Sequence, residues 1–171
     1  TKANGFQYYE MVLVYVDDVM AIGETPSRTI DGIKSVFKLK GDAAAPPDMY
    51  LGVSLEKKEN AQGTKCWTMS SEKYVDAAVK NVEDKLAKDG LKLPCKCPTP
   101  MSSGYHPSDD VSAELTSTGL HYYQELIGVL RWAVEIGRLD ILLEVSLLST
   151  HLALPRQGHL EQVYNIFGYF S

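Results

Sequence analysis

Apolar residues follow three rhythms along this chain: dense short runs first, then periods of two and of 3.6, with one stretch of no period between. From Tyr8 to Gly23 nearly every residue is β-branched, aliphatic or aromatic, and two adjacent carboxylates, Asp17 and Asp18, interrupt the run. Short apolar stretches rich in Val, Ile and Tyr predict buried strands. The run is therefore expected to be a β-hairpin with Asp17-Asp18 as its two-residue turn, where Asn-Gly or Asp-Gly would be easier to build. Thr25-Pro26 predicts a helix start, with Thr as cap and Pro at the first position. Ile30, Ile33, Val36 and Phe37 then recur at helical spacing over 26–38. The stretch 41–47 breaks regular structure. Met49 to Glu56 reads as a strand, Asn60 to Gly63 as a turn and Thr64 to Met69 as the returning strand. Gly52 inside that strand signals a bulge or a close backbone approach.

Beyond the second hairpin the period changes to that of helices. Ser70 or Ser71 is placed to cap a helix over 72–89. Val75, Val79, Val82 and Leu86 share one narrow arc of it, Lys73, Lys80 and Lys88 lie on the far side, and Gly90 is a natural stop. From Pro94 to Thr118 the chain is rich in Pro, Ser, Gly and Asp and reads as a long loop or linker. From 119 onward it is helical again. Tyr122, Leu126, Ile127, Val129, Leu130 and Ala133 form one apolar face, and Gly137 gives a turn. Ile141, Leu142, Val145, Leu148 and Leu152 form a second helix that stops at Leu154-Pro155. A third carries Leu160, Val163, Tyr164 and Phe167 inward. Hairpins followed by helices make the fold class α+β.

Composition changes this picture little. A length of 171 residues, 44% hydrophobic and 23% charged, fits a soluble globular protein with a real core. No apolar run reaches membrane-spanning length, since Asp140, Glu144 and His151 interrupt the longest, so no membrane partner is expected. The net charge of −5 argues against a strong nucleic-acid binder, but its distribution softens that objection. Residues 61–98 carry seven Lys against five acids, a net of +2, whereas 111–171 carry three Arg against six acids, a net of −3. A polyanion would therefore meet the middle third. Cys66, Cys95 and Cys97 are an odd set without framework spacing and read as free thiols in a reducing compartment. Cys95 and Cys97 with His106 do not have the spacing of a zinc knuckle. His121, His151 and His159 read as packing or helix-end residues. The chain starts just before a strand and stops within a helix, so it is expected to be cut from something longer.

The chemistry on offer lies in the Asp pair. Adjacent carboxylates repel unless a cation or proton lies between them. Aspartate oxygens are ligands that Mg²⁺ takes, often only one or two from protein, with phosphates and water completing the shell. Two carboxylates at a hairpin tip suit two-metal nucleotidyl transfer. The same dipeptide also occurs in plain solvated turns, and only its context separates the two.

That context resembles the reverse transcriptase of copia-type LTR retrotransposons over nearly the whole chain. Tyr15-Val16-Asp17-Asp18 looks like the family's palm motif. Phe37-Lys38-Leu39-Lys40 resembles the stretch after the palm helix, with Lys40 at the position of a lysine near the incoming nucleotide. Tyr50-Leu51-Gly52-Val53 is similar to the strand that begins the primer-grip hairpin. Tyr122-Tyr123-Gln124-Glu125-Leu126-Ile127-Gly128, Arg138-Leu139-Asp140-Ile141 and Val145-Ser146-Leu147-Leu148-Ser149 resemble its later helical motifs in order, and Pro155 with His159 fits the next helix start. Leu139 stands where the family commonly has Pro, so that junction is expected to continue as helix. The insert from Ala43 to Pro47 replaces a compact connection.

The resemblance implies a palm remnant over 1–70, a first thumb helix over 71–96, a linker over 97–117 and a helical thumb bundle over 118–171. It implies an RNA-directed DNA polymerase in which Asp17 and Asp18 bind Mg²⁺ (or Mn²⁺) and Lys40 donates a proton to pyrophosphate or neutralises it. Tyr15 and Val16 would touch the primer end or nucleotide, Leu51, Gly52 and Trp67 the primer terminus, and Lys73, Lys80 and Lys88 the duplex backbone. Tyr15 and Trp67 are also candidates for plain packing, Trp67 as a plug between hairpin and helices, and Lys40 for a solvated charge. The implied partners are an RNA/DNA primer–template duplex and a dNTP, with fingers and a first palm aspartate upstream of Thr1 and an RNase H domain beyond Ser171. Localisation would be cytoplasmic, in a virus-like particle, and also nuclear. An uncovered palm surface would favour self-association. Two rivals remain: a non-catalytic nucleic-acid or protein-binding module derived from the polymerase, and an unrelated α+β protein with a chance turn.

Overall fold

A computed structural model describes residues 9–39 and 44–171. The fold is α+β, as expected. In chain order the elements are β1 (Met11–Tyr15), β2 (Asp18–Ile22), α1 (Pro26–Lys34), β3 (Met49–Tyr50), β4 (Val53–Glu59), β5 (Lys65–Ser70), α2 (Glu72–Lys88), α3 (Ser117–Glu135), α4 (Leu142–Ser149) and α5 (Gln157–Phe170). The chain divides into two compact units, one of residues 1–51 and 55–68, the other of 52–54 and 69–171. Lys40 lies outside the described residues.

In the first unit β1 and β2 form a two-stranded antiparallel sheet, with Met11 opposite Ile22 and Tyr15 opposite Asp18. The strands are where the apolar runs place them, but they are not buried: all five residues of β1 are exposed. Among the described residues this sheet has two strands, too few to shield both faces of a ribbon. Only Val19, Met20 and Ala21, on the strand that α1 packs against, are half-buried. Helix α1 is shorter than its apolar spacing predicts. It ends at Lys34, and Val36 and Phe37 lie beyond it, exposed. Pro26 starts it as expected, but the Thr25 side chain makes no cap bond. Instead the Glu10 carboxylate accepts from the Thr25 amide at 3.2 Å and from the Thr29 hydroxyl at 2.7 Å.

The expected strand from Met49 to Glu56 is two strands. Leu51 and Gly52, at φ +52° and +84°, make a two-residue turn between β3 and β4, the conformation of a type I′ hairpin. Gly52 is thus a turn residue rather than a bulge. A Cβ on it would still have room, 3.5 Å from the Tyr74 ring. The β4–β5 turn forms as expected. The Asn60 side chain accepts from the amides of Gln62 and Thr64, and Gly63 takes φ +76°.

The second unit holds the core, built from α2, α3, α4 and α5. Helix α2 buries Val75, Val82 and Leu86 of the predicted arc, with Ala78 buried beside them and Val79 only half-buried, and the Ser70 hydroxyl accepts from the Glu72 amide at 3.3 Å. Each Val or Leu so buried contributes about 1.5–3 kcal/mol. Thr116 caps α3 through the Gly119 amide, and α3 buries Tyr123, Leu126, Ile127, Leu130, Ala133 and Val134. The Tyr123 hydroxyl donates to the Leu148 carbonyl at 2.8 Å, and burial pushes its pKa well above the ordinary value. The junction at Leu139 does not continue as helix. Gly137 turns the chain at φ +120° and a short 3-10 turn covers Leu139–Ile141. Helix α4 ends at Ser149, five residues before the expected stop.

The stretch read as a linker is held along α5 by a series of hydrogen bonds. The Cys97 amide donates to Gly168, Ser102 to the Gln162 side chain, Leu115 to Pro155, and Asn165 reaches Thr99. His159, fully buried, accepts the Arg156 amide at Nδ1 (3.0 Å) and donates from Nε2 to the Pro107 carbonyl (2.9 Å), which fixes its neutral tautomer. It is a packing and helix-end residue. Among the described residues no helix is long and apolar enough to cross a membrane.

Candidate functional site

The first hairpin brings Tyr15, Val16, Asp17 and Asp18 to one apex, but in a register one residue away from the expected one. Tyr15 pairs with Asp18, so the turn residues are Val16 and Asp17, and Asp18 begins β2. Val16 sits at φ +51° and Asp17 is not left-handed, which is the pattern of a type II′ turn, whose first position ordinarily takes Gly. Val16 is 84% exposed and Tyr15 50%, so Tyr15 is not a core aromatic.

Asp17 and Asp18 are both exposed. Among the described residues neither carboxylate has a hydrogen-bond or ion-pair partner. Asp18 also lines a cavity of about 260 Å³ within the first unit, together with Met20, Ile30, Lys34, Met49 and Tyr50. In the sequence Tyr50 stands only within the primer-grip motif, without a role of its own, and nothing there points to Lys34 beyond its i, i+4 spacing from Ile30. No group of three or more His, Cys, Asp or Glu side chains that could hold a metal gathers among the described residues. Two neighbouring unpaired carboxylates nevertheless fit a hard divalent cation that draws its other ligands from phosphate and water.

The remaining candidates fall at three places. Leu51 and Gly52 form the β3–β4 turn. Trp67 lies on β5 of the first unit, 47% exposed, with the Lys57 ammonium 5.0 Å from its ring centroid, an attractive cation–π placement. An indole half in solvent is not a buried plug. Lys73, Lys80 and Lys88 are exposed on α2 in the second unit, opposite its buried arc. Lys85, also on α2, instead caps the Tyr122 ring at 4.7 Å. Arg138 holds Asp140 through two bonds of 2.9 and 2.8 Å and lies 4.1 Å over the Phe170 ring. That pairing lowers the Asp140 pKa and raises that of Arg138, and it makes this motif a structural clamp.

No family model matches the chain, and no solved structure matches it either. Curated proteins do. The chain is 26% identical over 161 residues to the putative transposon Ty5-1 protein YCL074W of Saccharomyces cerevisiae, covering 92% of this chain and 47% of that protein. It is 27% identical over 175 residues to the retrovirus-related Pol polyprotein from transposon TNT 1-94 of Nicotiana tabacum, covering 93% of this chain and 12% of that one. The chain thus spans about half of one relative and about an eighth of the other. These likenesses support a copia-type retrotransposon origin for this chain.

Proposed function

We propose that this chain is the palm and thumb part of an RNA-directed DNA polymerase and that its first hairpin presents the metal-binding carboxylates. The observation that carries this reading is the apex itself: two adjacent aspartates, exposed and unpaired among the described residues, on a tight turn whose strained first residue is not Gly. Asp17 and Asp18 would hold Mg²⁺, and the ion when bound would activate a primer hydroxyl and neutralise charge on a triphosphate. Tyr15 and Val16, exposed beside them, offer an apolar surface for a primer end or nucleotide. Leu51, Gly52 and Trp67 would contact the primer terminus, with Trp67 presenting a half-exposed indole on which a base could stack. Lys73, Lys80 and Lys88 form an exposed set of cations suited to phosphates, contacts that position a duplex without reading its sequence. The role given to Lys40 rests on the resemblance alone. The similarity to a Pol polyprotein and the order of the matched motifs support the same reading.

Primer extension tests it. In the longer Pol protein that contains this segment, with RNA template, dNTPs and Mg²⁺, Asp17→Asn or Asp18→Asn is expected to lower incorporation at least a hundredfold while leaving duplex binding intact. Undiminished extension by both variants would overturn the assignment. The 171-residue chain alone, in which no third carboxylate joins these two among the described residues, is expected not to extend a primer and to bind Mg²⁺ weakly.

A further inference from the structure

Residues 107–115 are pinned to the start of α5 at closely spaced points. The amides of Gln157 and Gly158 donate to the Ala113 carbonyl and the Ser112 hydroxyl, both at 2.9 Å, and the Leu115 amide donates to the Pro155 carbonyl at 3.0 Å. One imidazole joins this segment to the helix. His159, in the first turn of α5, accepts the Arg156 amide at Nδ1 and donates from Nε2 to the Pro107 carbonyl. Its ring lies against that of His151, just beyond α4, with centroids 4.2 Å apart and planes tilted by 34°. His159 is fully buried and His151 half-buried.

The uncharged pair fits this arrangement and a charged one does not. A proton added to His159 enters at Nδ1, the atom that already accepts an amide hydrogen, so it removes the helix cap. It also puts a buried cation at a helix N-terminus, where the backbone dipoles are positive, and against a second imidazole. A proton on His151 meets the same neighbour: burial first and then His159 hold its pKa below the ordinary value. The other groups facing the pair give little relief. Asp110, from the segment, favours an imidazolium, but its carboxylate is engaged by the Tyr105 hydroxyl and the Ser112 amide. Tyr123, from α3, has its ring 6.4 Å from His159 and gives its hydroxyl to Leu148. Arg156, at the start of α5, is a further cation, with Glu114 at 3.5 Å. We infer that His151 and His159 form an acid-sensitive clasp, which fastens residues 107–115 to α5 while both rings are neutral and lets them go when the pair takes up a proton. A histidine whose folded pKa lies below its unfolded value stabilises the fold above the unfolded value and loses that contribution as pH falls toward the folded one. For His151 the loss begins near pH 6.5, well above the range in which Asp110 titrates. The clasp is independent of the polymerase reading.

Amide exchange of the 171-residue chain, expressed as protection factors so that the intrinsic effect of pH is removed, reads it directly. Between about pH 7.5 and about pH 5.5 the bridging amides of Leu115, Gln157 and Gly158 should lose protection about fivefold or more, while those of α2, in the same unit, stay within about twofold. His159→Gln keeps a donor and an acceptor on a side chain that does not titrate, and His151→Phe keeps a ring in the stack. Each should shrink the loss, and the two together should abolish it. Should His159→Gln fail to fold by circular dichroism, His151→Phe alone decides. Protection that does not change with pH in the parent would overturn the inference. So would a loss that persists at full size in His151→Phe, or one shared equally by α2, which is general acid unfolding.

Discussion

Tyr15 pairs with Asp18 across the first hairpin, which leaves Val16 and Asp17 as the whole of the turn. The β-branched Val16 is thereby held at φ +51°, a conformation costly for such a residue, roughly 1–3 kcal/mol. Val16→Gly should release most of that strain and stabilise the hairpin by about 1 kcal/mol. Amide exchange in the β1–β2 ladder would then slow about fivefold. Unchanged or faster exchange would show that the turn is not strained at Val16.

Gly168, in the last turns of α5, is tested by crowding rather than by φ. A Cβ built there would run into the Pro94 carbonyl oxygen and lie 3.0 Å from the Cys97 sulfur, while the Gly168 carbonyl itself accepts from the Cys97 amide. Backbone on one side and a packed thiol on the other leave little to give. Gly168→Ala is expected to lower stability by about 2–3 kcal/mol, read as a fall in urea midpoint. Gly128→Ala, on α3 with open space around it, is the control and should be neutral or slightly stabilising.

These two glycines show where the sequence is legible and where it is not. Period and punctuation suffice for α2, whose buried arc of Val75, Val82 and Leu86 follows from spacing alone, and for the Asn60–Gly63 turn, whose residues demand it. They also identify the Asp pair and the hairpin that carries it. Register is another matter: moving the turn by one residue from Asp17-Asp18 to Val16-Asp17 depends on which strand positions pair, and no local propensity favours a left-handed Val. Leu51 entering a turn at positive φ escapes notice for the same reason. The ties between residues 97–115 and α5 are long-range bonds such as His159 to Pro107, with no periodic trace in the chain.

Arg138 joins two functions that Lys could not combine. Its guanidinium makes paired bonds to Asp140 and lies over Phe170 at 4.1 Å. A lysine ammonium keeps the charge but loses the fork and the flat stacking face. Arg138→Lys should cost about 1 kcal/mol in thermal or urea unfolding, and Asp140→Asn in that background should add little, because the pair it would break is already weakened. Full additivity of the two changes would show that they do not act as a unit.

Asp110 governs how the 97–115 segment answers to acid. Burial alone would push its carboxyl up, but the hydrogen bonds from Ser112 and from the Tyr105 hydroxyl outweigh it and hold the pKa at about 2. Tyr105 moves the other way, raised by its burial, then by the bond and charge of Asp110. A carboxyl whose folded pKa lies below its unfolded value stabilises the fold above the unfolded value and loses that contribution as pH falls through the folded one. For Asp110 the window runs from about pH 4 down to about pH 2. Asp110→Asn should therefore be less stable than the parent at neutral pH, by about 1 kcal/mol, and should converge with it toward the acid end of that window. Urea midpoints of the two proteins at neutral pH and at steps through the window check this. A gap that stays constant down to about pH 2 would mean that Asp110 is not the group whose protonation loosens the segment.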